Sequence, residues 1–213
     1  MKRHLGAILA LCLLGSMSLP GCQAVESLGK SFDNLSWGKG QSSGTETKAM
    51  AAAGESIVAD LPDNCPQIKV LDELSRITQF TNQKSPKNDE KIASARFTTL
   101  DATCSVAPNS VTLEITLDFE GEAGVVGLRN QGSEASFAYP YFLSVITPNG
   151  QILSKDVFAL SMIYNEGKSR VHKQDRLRQT IPLMSGQQAD EYQIVIGFQL
   201  SEDELAYNRS GGQ

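Results

Sequence analysis

Histidine, acidic and basic side chains are the groups in this chain that could do chemistry, and histidine is the most restrictive of them. The 213 residues contain two histidines, His4 and His172. His4 lies in an N-terminal segment typical of a removable leader, so the processed chain keeps only His172. One histidine excludes multi-histidine zinc sites and the two-histidine iron triad. Because His172 lies in a charged stretch and no G-x-S-x-G motif is present, we expect it to be exposed rather than part of a Ser-His-Asp triad.

Three acids, Asp118, Glu120 and Glu122, alternate at the end of an apolar run. Paired carboxylates could serve acid/base hydrolysis of a glycoside, and clustered ones could bind calcium. Their period of two instead favours one outward, solvated face of a strand. No glycine-rich phosphate loop, dinucleotide fingerprint or calcium-loop spacing is present in the sequence. We therefore predict a protein that is not an enzyme and that has no cofactor or metal.

A cluster of five cations contains a single acid, Asp175, in an otherwise acidic chain of net charge -5. Such a cluster could contact a phosphate-bearing or acidic polymer, and the favoured alternative is a solvated loop and strand face. The whole chain has no surplus of Lys and Arg, which excludes nucleic acid as a partner. The members of this predicted anion-contact patch are Lys168, Arg170, Lys173, Arg176 and Arg178.

Four aromatic residues cluster around Pro140, namely Phe137, Tyr139, Tyr141 and Phe142. They fall on both phases of a strand, which indicates either a strand covered on both sides or an exposed recognition surface. Pro140 cannot donate a ladder hydrogen bond, which favours an edge strand or a bulge. The cluster is therefore a candidate interaction patch, with core packing as the favoured alternative.

The N-terminus has the three parts of a secretory signal peptide. Lys2 and Arg3 form a basic head, residues 5–14 are an apolar run, and small residues precede Cys22. The apolar run is shorter than the ~20 residues that a membrane-spanning helix needs. We predict that residues 1–21 are removed, which changes the net charge from -5 to -7 because Lys2 and Arg3 leave with them.

The end of this segment, Leu19, Pro20, Gly21 and Cys22, resembles the lipobox of bacterial lipoproteins. That family has an aliphatic residue at -3, a small residue at -1 and an invariant cysteine, and Pro20 departs from the small residue usual at -2. The resemblance implies that the Cys22 thiol carries a diacylglycerol, so that lipid anchors the protein to a membrane. Gln23 stands where an Asp tends to retain lipoproteins in the inner membrane, which favours the outer membrane. The alternative is a plain secretory signal with an incidental Cys22.

The four cysteines separate by role once the leader is set aside. Cys12 leaves with the leader and Cys22 is assigned to lipid, which leaves Cys65 and Cys104 in an oxidising compartment. Two such thiols are predicted to form one structural disulfide. A redox or metal-binding pair would need a Cys-x-x-Cys motif or additional histidines, and neither is present.

Residues 22–63 are rich in Gly, Ser, Ala and Lys and have little apolar periodicity. Such a segment buries too little apolar surface to offset its ordering entropy, so we predict a lipidated flexible tether. The alternatives for parts of it are a short amphipathic turn over 25–37 and a helix over 48–59. The folded domain is predicted over 64–208, and residues 209–213 are predicted to be a frayed end.

The pattern of the domain is that of strands joined by short turns. Residues 111–120 alternate apolar and polar side chains, and Asn-Gly at 149–150 marks a hairpin. A phase change near Thr98 predicts a bulge, and Ser201 with Glu204 forms a capping box for a short C-terminal helix. Seven or eight such strands without alternating helices predict an all-β, antiparallel two-sheet sandwich, Ig-like or related. A closed barrel is the alternative.

Together these features predict a lipid-anchored lipoprotein of the outer membrane that faces the periplasm. Its domain is expected to be non-catalytic and to bind or scaffold a protein partner, in the manner of the Gram-negative envelope lipoproteins that it resembles. The first alternative is a carrier or chaperone for a lipid or hydrophobic ligand, which would need an apolar cavity. An envelope hydrolase is the third possibility and would need His172 beside a buried acid and an accessible serine.

Overall fold

The structure, a computed structural model, describes residues 56–131, 134–165 and 168–211, which fall within one compact unit, Ala51–Gln213. This part of the chain contains nine strands and two α-helices. The strands are Ile57–Val58 (β1), Gln67–Val70 (β2), Arg76–Phe80 (β3), Lys91–Ala107 (β4), Ser110–Ala123 (β5), Glu134–Ile146 (β6), Ile152–Asn165 (β7), Arg170–Pro182 (β8) and Gln193–Phe198 (β9). The helices are Val125–Gln131 (α1) and Glu202–Arg209 (α2), and single 3-10 turns cover Asp72–Leu74, Asn88–Glu90 and Ala189–Glu191.

The strands form two sheets, one of five strands in the order β1-β2-β9-β6-β7 and one of four in the order β3-β4-β5-β8. Neighbouring strands are antiparallel except β2 and β9, which are parallel. The predicted all-β sandwich is confirmed. Immunoglobulin constant domains share this architecture but have strands in the orders ABED and CFG. The sequential run β3-β4-β5 gives the four-stranded sheet a different connectivity.

The long β4–β5 hairpin shows why the apolar phase of β4 changes midway. Phe97 pairs with Phe119 and Thr99 with Asp118, so Thr98 is an extra residue on β4. This is the predicted bulge, and it turns Leu100 to the core side on which Phe97 already lies. The bulge therefore lets the core-facing side of this 17-residue strand continue from Phe97 to Leu100 across the change of phase.

A hairpin turn and a helix cap lie where the sequence predicts them. Gly150 has φ of 82° in the β6–β7 turn, where its N–H donates to the Thr147 carbonyl at 2.9 Å. This is a conformation that glycine adopts at little cost. Ser201 caps α2, because its Oγ accepts from the Glu204 N–H at 3.3 Å while the Glu204 carboxylate accepts from the Ser201 N–H at 2.7 Å.

The core lies between the two sheets and is filled by aromatic rings. Phe97 lies 4.8 Å from Phe119 and 4.7 Å from Phe198, measured between ring centroids. Tyr141 adds a fourth ring 5.3 Å from Phe119. Rings at these separations interlock at favourable tilted angles, so the sheets are held together by apolar burial across the sandwich.

The limits of the folded part differ from those predicted. β1 pairs with β2 through Ile57 and Val58, and Ala59 is buried, so the sheet begins inside the predicted tether of 22–63. At the other end α2 continues to Arg209, one residue beyond the predicted domain. The signal peptide, Cys22 and tether residues 22–55 lie outside the described residues.

Candidate functional site

The predicted cation cluster lies beside the predicted acids, because β5 and β8 are neighbours in the four-stranded sheet. Alternate residues of both strands point to the outer face of that sheet, away from the core. The outward acids of β5 thus meet the outward cations of β8 across the ladder. The facing pairs are Glu122–Arg170 at 3.8 Å, Glu120–His172 at 3.7 Å and Glu114–Arg178 at 3.4 Å, measured between nitrogen and oxygen atoms.

The members of the predicted anion-contact patch have different surroundings in the structure. Arg170 and Arg178 already face carboxylates, and Arg176 donates to the Gln174 side chain at 3.1 Å. Lys173 lies on the other phase of β8 and donates to the Ser161 carbonyl of β7 at 2.8 Å. Lys168 is exposed before β8 begins. Strand alternation and the acidic neighbour place two of the five cations, Arg170 and Arg178, in ion pairs, which the sequence of β8 alone does not reveal.

The acids of this face are held in the ionised form. Thr99 donates to one oxygen of Asp118 at 2.6 Å and Gln174 donates to the other at 2.9 Å, and these hydrogen bonds lower the pKa of Asp118. Hydrogen bonds from Arg96 to Glu120, at 3.0 and 3.1 Å, likewise lower the pKa of Glu120. A general acid needs a raised pKa, so these carboxylates are better suited to ion pairing than to proton donation.

His172 is exposed, as predicted, with 72% of its side chain accessible. It borders a shallow depression of about 460 Å³ that Thr98, Thr99 and Asp118 also line, and no serine is among its lining residues. Within residues 56–131, 134–165 and 168–211, no group of three or more His, Cys, Asp and Glu side chains is arranged to hold a metal ion.

The aromatic cluster is buried, with Phe137, Tyr139 and Tyr141 in the core and Phe142 on the other face of β6, and the exposed-patch interpretation is corrected. Phe137, Tyr139, Tyr141 and Phe142 are between 0 and 6% exposed, because β6 is a central strand between β9 and β7. Pro140 is tolerated there because β9 pairs with β6 only from Tyr141 onward. The Pro140 carbonyl accepts from the N–H of Gln199, just beyond the end of β9, at 2.8 Å.

The buried tyrosines of this cluster are satisfied by hydrogen bonds. The hydroxyls of Tyr139 and Tyr164 lie 3.3 Å apart, and the Tyr141 hydroxyl donates to Asp175 of β8 at 2.7 Å. Burial raises the pKa of Tyr139 and Tyr141 well above the usual range, and the hydrogen bonds add to this effect. Both phenols are thus neutral, and the Tyr141–Asp175 bond connects the two sheets.

Cys65 and Cys104 form the predicted disulfide, with Cα atoms 6.2 Å apart. Cys65 precedes β2 of the five-stranded sheet and Cys104 belongs to β4 of the four-stranded sheet. The bond is therefore a covalent connection between the two layers.

A row of aliphatic side chains along β7 remains exposed. Among the described residues β7 is an edge strand, which pairs with β6 alone. We call this row the β7 stripe, and its members are Ile152, Leu153, Val157 and Ile163, which are 44, 49, 57 and 51% exposed. Sequence analysis missed the stripe because its apolar residues look like core residues until the pairing of β7 is known.

A polar groove of about 310 Å³ also escaped the sequence analysis. We call it the β3–β4 groove, because it lies over the outer face of these two strands beside α2. Its lining includes Arg76, Thr78, Ser94, Arg96, Glu120 and Tyr207. The residues come from four separate elements, so only the register of the sheet and the docking of α2 bring them together.

Among the described residues, no helix is both long and apolar enough to span a membrane. No protein-family model matches the chain, and searches of curated proteins and of solved structures yield no match.

Proposed function

We propose that the protein is a lipid-anchored lipoprotein of the outer membrane whose periplasm-facing domain is non-catalytic and binds a protein partner. The resemblance of residues 19–22 to a lipobox supports the anchor. The Cys65–Cys104 disulfide supports export from the cytosol, because structural disulfides are typical of exported domains and rare in the cytosol.

The observation that carries the binding role is the β7 stripe. Its four aliphatic side chains lie on one edge strand and are each about half exposed. Long edge strands with apolar side chains are rare on monomeric proteins unless something covers them, since they template pairing with another chain. Lys173 protects the edge near Ser161. Toward the start of β7, away from Ser161, β8 runs in the four-stranded sheet. The first half of β7 is therefore accessible.

The partner that fits this surface supplies an extended segment with alternating apolar side chains. Such a segment adds to the free edge of β7 through main-chain hydrogen bonds, and its side chains pack on the stripe. The carrier alternative is less well supported, because packed rings fill the described space between the sheets.

Photo-crosslinking in intact cells tests the binding role. A photoreactive residue at Val157 is expected to trap a protein partner, whereas the same residue at Thr103, exposed on the outer face of β4, is the matched control and is expected to trap none. Absence of a protein adduct from Val157 contradicts the proposal. An adduct with a second copy of this chain would show that the stripe mediates self-association and not binding to a different protein.

Membrane fractionation tests the anchor. Cys22→Ser removes the predicted lipid attachment and is expected to move the protein from the membrane fraction to the soluble fraction. Cys12→Ser, within the predicted leader, is the matched control and should leave the distribution unchanged. Continued membrane retention of the Cys22→Ser protein would refute lipid anchoring without bearing on the β7 stripe.

A further inference from the structure

The β3–β4 groove brings two arginines directly opposite each other. Arg76 and Arg96 are register partners in the antiparallel β3–β4 pair, and both line the groove. Like charges in facing positions of a sheet are destabilising unless a counter-charge is present. The pair therefore needs anionic groups on the outer face of the sheet.

Among the described residues, Arg96 has an anionic partner and the guanidinium of Arg76 has none. The Nε and Nη2 atoms of Arg96 both donate to one oxygen of Glu120, at 3.1 and 3.0 Å. The guanidinium of Arg76 makes no ion pair or side-chain hydrogen bond with any described residue. At the backbone, the Asn208 side chain donates to the Arg76 carbonyl at 2.9 Å.

The two acids of the groove are already engaged by other cations. Glu122 lies 3.0 Å from Lys91 and 3.8 Å from Arg170. Glu120 likewise faces Arg96 and the imidazole of His172. Each carboxylate thus has two basic neighbours, so the positive charge of Arg76 is uncompensated inside a concave site.

The rest of the lining offers neutral hydrogen-bonding groups and one ring. Thr78 and Ser94 are register partners on the outer face, and both line the groove together with the Asn88 side chain. Tyr207 of α2 forms a wall, fixed by an edge contact with Phe80 at 5.0 Å between centroids. Hydroxyl and amide groups beside an aromatic wall match a hydroxylated ring better than an apolar ligand.

We propose that the β3–β4 groove binds a small hydroxylated anion, such as a sugar that carries one carboxylate or phosphate group, with Arg76 as the residue that contacts the anion. The planar guanidinium presents a fork of N–H donors that matches either oxyanion in a bidentate manner. The hydroxyls of the ligand then meet Thr78, Ser94 and Asn88. This site is separate from the β7 stripe and does not depend on the partner proposed for it.

Calorimetric titration of the purified full chain at low ionic strength tests the proposal. The probes are glucose 6-phosphate, glucuronate, inorganic phosphate and neutral glucose. We expect saturable binding of at least one of the two sugar anions and none of glucose. Whichever of the two sugar anions binds more tightly shows whether the site prefers a phosphate or a carboxylate group. Because the contact is between exposed charges, added salt is expected to weaken it.

Arg76→Gln and Arg178→Gln form the decisive pair of variants. Both arginines are exposed on the outer face of the four-stranded sheet, so neither change is expected to alter folding. Arg76→Gln is expected to weaken binding at least about tenfold, the loss of one charge-assisted contact, while Arg178→Gln leaves it unchanged. The proposal is overturned if no sugar anion binds the wild-type chain, or if both variants bind equally well. Binding of inorganic phosphate without either sugar would also overturn it.

Discussion

The outer faces of the two sheets differ in charge and in burial. The outer face of the four-stranded sheet carries acids and cations in facing pairs, such as Glu114 with Arg178 and Glu122 with Arg170. On the outer face of the five-stranded sheet, Phe142 is 3% exposed and Val195 is fully buried. The Lys155 ammonium lies 4.4 Å over the Phe142 ring, and burial lowers the pKa of that lysine. The outer face of the four-stranded sheet is thus solvated and charged, whereas the outer face of the five-stranded sheet buries apolar side chains on its inner strands, β9 and β6.

This difference indicates how the two faces are used. Exposed ion pairs contribute little to stability because water competes for both charges, so the charged face is free to select ligands. Apolar surface contributes in proportion to the area removed from water, so the exposed β7 stripe at the edge of the five-stranded sheet is suited to contact with protein. Both proposals follow this division, with the groove on the charged sheet and the stripe on the apolar one.

The largest expected effect comes from releasing the covalent connection between the sheets. Replacing both Cys65 and Cys104 with alanine opens a loop of 39 residues in sequence separation. The chain-entropy estimate for such a loop is about 4 kcal/mol of lost stability. Denaturant unfolding of the double variant measures it, and an unchanged midpoint would show that the two sheets are held together without the bond.

The contrast between the outer faces is tested by one substitution on each. Phe142→Ala should lower the free energy of unfolding by about 3 kcal/mol, since it removes a buried ring. Glu114→Gln breaks the exposed pair with Arg178 and is expected to cost about 0–1 kcal/mol. Chemical denaturation measures both. Equal losses would mean that the two faces do not differ in the way described.

A hydrogen bond between the sheets has an intermediate expected effect. Tyr141→Phe removes the donor to one oxygen of Asp175, whose other oxygen still accepts from the Arg176 N–H, at a cost of about 2 kcal/mol. Tyr207→Phe is the control, because that hydroxyl makes no hydrogen bond with the described residues, and its effect is expected to stay within about 0.5 kcal/mol. Thermal unfolding compares the two variants. Indistinguishable melting temperatures would show that the Tyr141–Asp175 hydrogen bond does not stabilise the fold.

The smallest expected effect is on the pH dependence of stability. Asp118 has a folded-state pKa below its ordinary 3.8, so its contribution is complete above that value and is lost as the pH falls through the folded pKa. Thr99→Val removes the strongest cause of the shift and should flatten the decline in melting temperature at low pH. A decline as steep as in the wild type would show that Thr99 does not stabilise the ionised carboxylate.

Local patterns predicted most of the strands because each depends on neighbouring residues. The alternation over 111–120, the phase change near Thr98 and the capping box at Ser201 all involve contacts within a few positions. The disulfide followed from elimination among four cysteines rather than from geometry. The burial of the aromatic cluster was harder to predict, because the same residues suit an edge strand or a central strand until the neighbours of β6 are known.

The sequence by itself determined the class of fold, the bulge, the helix cap and the choice of Cys65 and Cys104 as partners. These depend on side-chain period, backbone preference and counting, all of which are local properties. Only the tertiary structure decided that β6 is central, that the cations of β8 face the acids of β5, and that Arg76 faces Arg96. Those facts depend on which strands pair and in what register, and the interactions that set them join residues far apart in the chain.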